Sequence, residues 1–121
     1  MELVKEKFSI NPQQKCVKDL LSGLEWKIEV EEECSFNQAC ARYGKADNDG
    51  WRMPTLSELN TLIDEEWPFD VLDDHADMFW SSNQNFQDQS LAHYVEFNGG
   101  FTNTADKSTY GCVRLVRIAK E

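Results

Sequence analysis

Gly50–Leu59, reading Gly-Trp-Arg-Met-Pro-Thr-Leu-Ser-Glu-Leu, constrains the fold more than any other stretch of the chain. Pro54 cannot sit inside a helix but is tolerated just before one. Thr55 and Glu58 have the spacing of a capping box, in which each side chain takes the other residue's backbone N–H. Leu56, Leu59, Leu62 and Ile63 then fall on one helical face running to about Asp64. Trp51-Arg52-Met53 is therefore an extended run that delivers the chain into a capped helix. Trp51 is expected in the core and Arg52 in a structural ion pair.

Cys16–Asp19 and Leu24–Ile28 both alternate apolar with polar residues. Gly23 between them can take a positive φ, so the pair reads as a β-hairpin with Trp26 in the core. Glu29–Glu33 is an acidic run and reads as a solvated loop. Ser35 with Gln38 repeats the capping box, and Phe36, Ala39, Cys40 and Tyr43 make an apolar helix face. Gly44 suits the position that ends such a helix. Lys45–Gly50 resembles part of a calcium loop. In that register Lys45 and Leu56 would take the first and last ligand positions, so a turn is expected instead.

Glu65–Asp77 is acidic and irregular. Asp73, Asp74, His75 and Asp77 are cation-ligand types, but clustered acids on a loop are expected to be solvated, and no metal is assigned. Beyond it the pattern is β. Met78–Ser81, His93–Phe97 and Thr109–Ile118 read as strands, the last of them central because both its faces carry apolar residues. Asn83–Ser90 and Phe101–Ser108 read as polar loops, and Asn98-Gly99-Gly100 as a turn. Helices segregated from strands imply an α+β fold. Residues 1–15 show little periodicity and read as an N-terminal extension, with 16–121 as a single domain.

The net charge of −10, from 22 acidic and 12 basic residues, argues against binding nucleic acid or anionic membrane surfaces. No segment is long and apolar enough for insertion in a membrane. Residues 1–15 are too polar for a signal peptide. The chain is then cytoplasmic if Met1 is the native start, or else the mature part of an exported protein. Cys16, Cys34, Cys40 and Cys112 include no Cys-x-x-Cys pair. They allow three disulfide pairings, or burial as thiols. With only His75 and His93 available, no nucleophile–base spacing emerges, so no catalytic residue and no cofactor is assigned.

Five blocks resemble a known family. Asp19-Leu-Leu-Ser-Gly-Leu-Glu-Trp26 resembles its Asp-x-x-Thr-Gly-Leu-x-Trp opening, and Trp51-Arg-Met-Pro-Thr-Leu-Ser-Glu-Leu59 its Trp-Arg-Leu-Pro-Thr-x-x-Glu-Leu signature. Phe79-Trp-Ser-Ser82, Val95-x-Phe-x-x-Gly100 and Val113-Arg-Leu-Val-Arg117 follow in the family's order. The family is named for the C-terminal domain of a Legionella collagen-like protein, and the resemblance runs over Cys16–Arg117.

The resemblance implies a C-type-lectin-like fold, related to the formylglycine-generating fold, with two helices flanking a twisted antiparallel sheet. It also implies a non-catalytic ligand-binding or adhesion module with a polysaccharide or protein partner, at the cell surface or outside the cell. The second half is similar to the variable proteins of diversity-generating retroelements, which makes such a protein the alternative. That similarity places candidate ligand residues at Asn83, Asn85, Gln87, Asn98, Asn103 and Thr104, with Phe86 and Phe101 as aromatic anchors. A formylglycine-generating type of enzyme is a further alternative, but its cysteine pair near the C-terminus is matched here by Cys112 alone.

Overall fold

The computed structural model describes residues 2–4, 8–64, 78–84, 87–96 and 101–118. In chain order the elements are β1 (Glu2–Val4), β2 (Phe8–Asn11), β3 (Cys16–Asp19), β4 (Leu24–Lys27), β5 (Glu31–Cys34), α1 (Phe36–Tyr43) and α2 (Leu56–Asp64). They continue with β6 (Met78–Gln84), β7 (Leu91–Glu96), β8 (Phe101–Asp106), β9 (Gly111–Val113) and β10 (Val116–Ile118). The first sheet runs β1-β2-β3-β4-β10 and the second β5-β9-β6-β7-β8. Strands with two helices make an α+β domain. All neighbours are antiparallel except β6 and β9.

The β3–β4 hairpin forms as the alternation requires, with Val17 opposite Trp26 and Gly23 at φ +78°. Asp19 Oδ1 accepts from the Leu21 and Ser22 N–H groups and shapes the turn. The stretch before Cys16 supplies β1 and β2. Phe8 of β2 is fully buried in the same cluster as Trp26.

Two apolar clusters meet at β6. Phe79 and Trp80 are adjacent, so their side chains leave the strand on opposite faces. Phe79 joins Phe8, Val17, Trp26, Leu59, Leu62, Val95 and Val116. Trp80 joins Phe36, Ala39, Trp51, Met53, Ala92, Val113 and Leu115. The sheet's central strands are thus buried on both sides, which holds them rigidly.

The Gly50–Leu59 block stitches these parts together. Asp47 Oδ1 accepts from the Asp49 and Trp51 N–H groups, and Gly50 sits at φ +90°, so Asp47–Gly50 is the expected turn. Arg52 exchanges both backbone hydrogen bonds with Val116 of β10. Met53 N–H donates to Tyr43 O at the end of α1, and Pro54 O accepts from Ser82 N–H in β6. Both halves of the capping box are present: Thr55 N–H to Glu58 Oε1 at 2.9 Å and Glu58 N–H to Thr55 Oγ1 at 3.2 Å.

Arg52 then grips Glu58 with two 2.8 Å bonds. Burial pushes the Glu58 carboxyl up, but the Arg52 fork and the Thr55 groups outweigh it, so its pKa lies below the usual glutamate value. A depressed carboxylate stabilises the fold above its unfolded pKa, about 4.3, and that contribution disappears as pH falls through the folded value. Glu58→Gln should therefore cost about 1 kcal/mol at neutral pH and flatten the loss of stability below about pH 4.3. Urea melts across that range check it.

The second capping box also forms, between Ser35 and Gln38. Gly44 ends α1 in the right-handed region, at φ −65°, rather than in the left-handed conformation. What favours glycine there is space: a Cβ would stand 2.4 Å from the Cys40 carbonyl oxygen.

Three parts of the sequence reading are corrected. Glu31–Cys34 is a strand rather than loop; it forms an outer strand whose glutamates can face water while its backbone pairs with β9. Asn83 and Phe101–Asp106 belong to strands rather than loops. The last strand is two: β9 lies inside the second sheet, and β10 ends the first. The chain crosses between sheets at Arg114-Leu115, where the fully buried Arg114 turns inward and donates Nη1 to the Lys27 and Ile28 carbonyls.

All three framework arginines are structural. Arg117 Nε bonds Glu25 at 2.8 Å, and its guanidinium lies 4.2 Å from the Trp51 ring centroid. The four cysteines are thiols, with Cys16, Cys34 and Cys112 buried. Burial pushes the Cys16, Cys34 and Cys40 thiols up, which suppresses reactivity.

Candidate functional site

Antiparallel pairing of β7 with β8 sets Leu91 opposite Asp106 and Glu96 opposite Phe101. Gln87–Ser90 and Lys107–Tyr110 therefore meet at one end of the pair. The Glu96–Phe101 end is the other, a six-residue strand away. Two equivalent local motifs shape the first end. Asp88 Oδ1 accepts from the Ser90 N–H and hydroxyl, at 3.0 and 2.6 Å. Asp106 Oδ1 accepts from the Ser108 N–H and hydroxyl, at 2.8 and 2.6 Å.

These serine hydrogen bonds hold both carboxyls below the usual aspartate range. The two turns are pinned together by Lys107 N–H donating to Ser90 O at 2.9 Å, and to the start of α1 by Phe36 N–H donating to Lys107 O at 3.0 Å. Tyr110, 59% exposed, stands beside them. The result is a rigid, polar, partly anionic rim beside the exposed Tyr110 ring. It offers hydrogen-bond acceptors and donors.

Those of the sequence-derived site residues that the structure describes lie in different elements. Asn83 Oδ1 accepts from the Leu56 N–H at 2.8 Å and so closes the first turn of α2. Asn103 and Thr104 are consecutive in β8, opposite Tyr94 and His93, so they leave opposite faces of the sheet. Asn103 is exposed and Thr104 half-buried. Gln87 is exposed at the polar rim. Asn85, Phe86, Asn98, Asp73, Asp74, His75 and Asp77 lie outside the described residues, as does the Phe101 side chain.

Asn83→Ala is accordingly expected to cost about 1 kcal/mol in a chemical melt, as the loss of a helix cap does. Asp88, Ser90, Asp106 and Ser108 lie in stretches expected to be polar loops, but none of them is singled out there as a ligand residue. Their signal was the repeated Asp-x-Ser spacing, which favours side-chain-to-backbone turns.

A separate surface pocket of about 210 Å³ is lined by Gln14, Lys15, Lys27 and Glu29. Lys15 and Glu29 form an exposed 3.7 Å ion pair there. Among the described residues, no three His, Cys, Asp or Glu side chains converge to hold a metal ion. Among them too, no helix is long and apolar enough to cross a membrane.

The family model described as the Lcl C-terminal domain matches residues 15–117. No curated protein matches the chain.

Proposed function

Since the chain belongs to the Lcl C-terminal domain family, we propose that it is a non-catalytic ligand-binding or adhesion module that takes a glycan or protein ligand on its C-terminal half. The architecture proposed with it is C-type-lectin-like, the two helices flanking the twisted second sheet. The observation that carries this reading is the polar rim at Gln87–Ser90 and Lys107–Tyr110. Its two Asp–Ser turns are fastened by backbone hydrogen bonds to each other and to α1. Pre-ordered polar groups on a rigid sheet lose little entropy when they bind. Acceptor carboxylates beside an exposed tyrosine suit sugar hydroxyls or a protein surface.

The test is a glycan array together with a displayed-peptide screen, followed by Gln87→Ala and Tyr110→Ala in the same protein. Loss of the recovered ligand in these variants, with an unchanged melting temperature, supports the reading. Retained affinity in both variants contradicts the placement.

A further inference from the structure

Among the described residues the two sheets end in four outer strands: β1, β10, β5 and β8. An outer strand exposes unpaired backbone groups and usually carries a device that blocks further pairing. β10 has Arg52, which exchanges both backbone bonds with Val116. β5 has Glu31, Glu32 and Glu33, and its pairing with β9 shifts register between Glu31 and Cys34. β1 is three residues long. β8 is six residues, Phe-Thr-Asn-Thr-Ala-Asp, without proline or lysine and paired in unbroken register with β7.

The direction of its backbone groups follows from the ladder. Lys107 N–H bonds Ser90 O, so Lys107 faces β7. Alternation along an antiparallel strand then turns Ala105, Asn103 and Phe101 toward β7 and Asp106, Thr104 and Thr102 toward the open side. Thr104 N–H agrees: it donates at 2.8 Å to Oδ1 of the neighbouring Asn103. The Asn103 side chain therefore covers an outward-facing donor. Thr102, Asn103 and Asp106 are exposed.

Charge selects among possible occupants. The rim at the Asp106 end carries Asp88 as well, and Glu96 lies opposite Phe101 at the other end. A second copy of the chain would bring a further net charge of −10 to this edge, which opposes pairing between copies.

We propose that β8 is a strand-addition site, on which an extended cationic segment of a partner protein pairs with Thr102–Asp106 while its lysine or arginine side chains face Asp106. Asn103 is the removable cover of that edge. Backbone hydrogen bonds supply the affinity of such an addition, and the flanking charges supply direction and selectivity. This rests on the ligand-binding reading above and narrows the ligand to an extended peptide.

The test uses random dodecapeptides displayed on phage, with selected peptides then synthesised and titrated by fluorescence anisotropy. Recovered peptides are expected to be rich in lysine or arginine and β-branched residues. Thr104→Pro removes an outward N–H that β7 does not use, so the fold should persist while affinity drops about tenfold. Asn103→Val uncovers the same N–H and should tighten binding severalfold. It also keeps the test decisive if Thr104→Pro fails to fold. Equal affinity for the wild type and Asn103→Val, or for the wild type and a folded Thr104→Pro, overturns the proposal, as does the enrichment of no peptide. A glycan ligand lost in Gln87→Ala, with no peptide enriched, overturns strand addition and leaves the binding-module reading standing. Neither glycan nor peptide binding overturns both.

Discussion

Arg114→Ala is expected to lower the unfolding free energy by about 4 kcal/mol. The side chain is fully buried. Its Nη1 donates to the Lys27 and Ile28 carbonyls, and its guanidinium lies 5.6 Å from the Phe79 ring centroid. Alanine would leave two carbonyls with a lost donor, each costing about 1–3 kcal/mol, and would leave a void between the sheets. Removing a buried cation also recovers its desolvation cost, which opposes the loss. The loss should win because one guanidinium nitrogen serves both carbonyls, at the end of β4, and alanine removes the donor from each. A urea melt should show a lower midpoint with an unchanged slope. A change under about 1 kcal/mol would mean that desolvation relief cancels the lost bonds.

Trp80→Ala should be comparably severe, at about 3–5 kcal/mol. Trp80 is fully buried and meets Phe36 edge-on at 5.5 Å and Tyr94 at 6.4 Å between ring centroids. Its Nε1 donates to Cys34 O at 3.0 Å, tying β6 to the end of β5 across 46 residues. Gly111 exists for this ring: a Cβ there would stand 2.9 Å from Trp80 Nε1. Trp80→Phe separates the contributions. It keeps most of the packing but strips the Cys34 carbonyl of its donor, so about 1–2 kcal/mol should be lost. Tyr94, against Trp80, lies opposite Asn103, so the alanine variant should also loosen the face next to β8. Hydrogen exchange at Tyr94 and Asn103 measures that directly.

Legibility in the sequence follows the range of the interactions. The two capping boxes and the Asp47 turn are made by residues a few positions apart, the β3–β4 hairpin by residues no further apart than Cys16 and Lys27, and their residue types announce them. β5 and β8 are different. Glu31-Glu32-Glu33 and Thr102-Asn103-Thr104 lack apolar alternation, so only the tertiary pairing reveals them as strands. The division of Thr109–Ile118 into β9 and β10 depends on where Arg114 finds carbonyls 87 and 86 residues away. At the site, reading Asn83 as a loop residue hid its bond to the Leu56 N–H, which adds to the Thr55 cap of α2. The Asp88/Ser90 and Asp106/Ser108 turns were local and readable, but their meeting at one rim depends on the register of β7 with β8.

The central claim is that ligand binds on the C-terminal half, at the polar rim and the β8 edge. Amide chemical-shift changes on titrating in the ligand recovered by the glycan and peptide screens test it most directly. The perturbed amides should cluster in Gln87–Ser90 and Thr102–Tyr110. Perturbations confined to α1, to α2 or to the Gln14, Lys15, Lys27 and Glu29 pocket would contradict it.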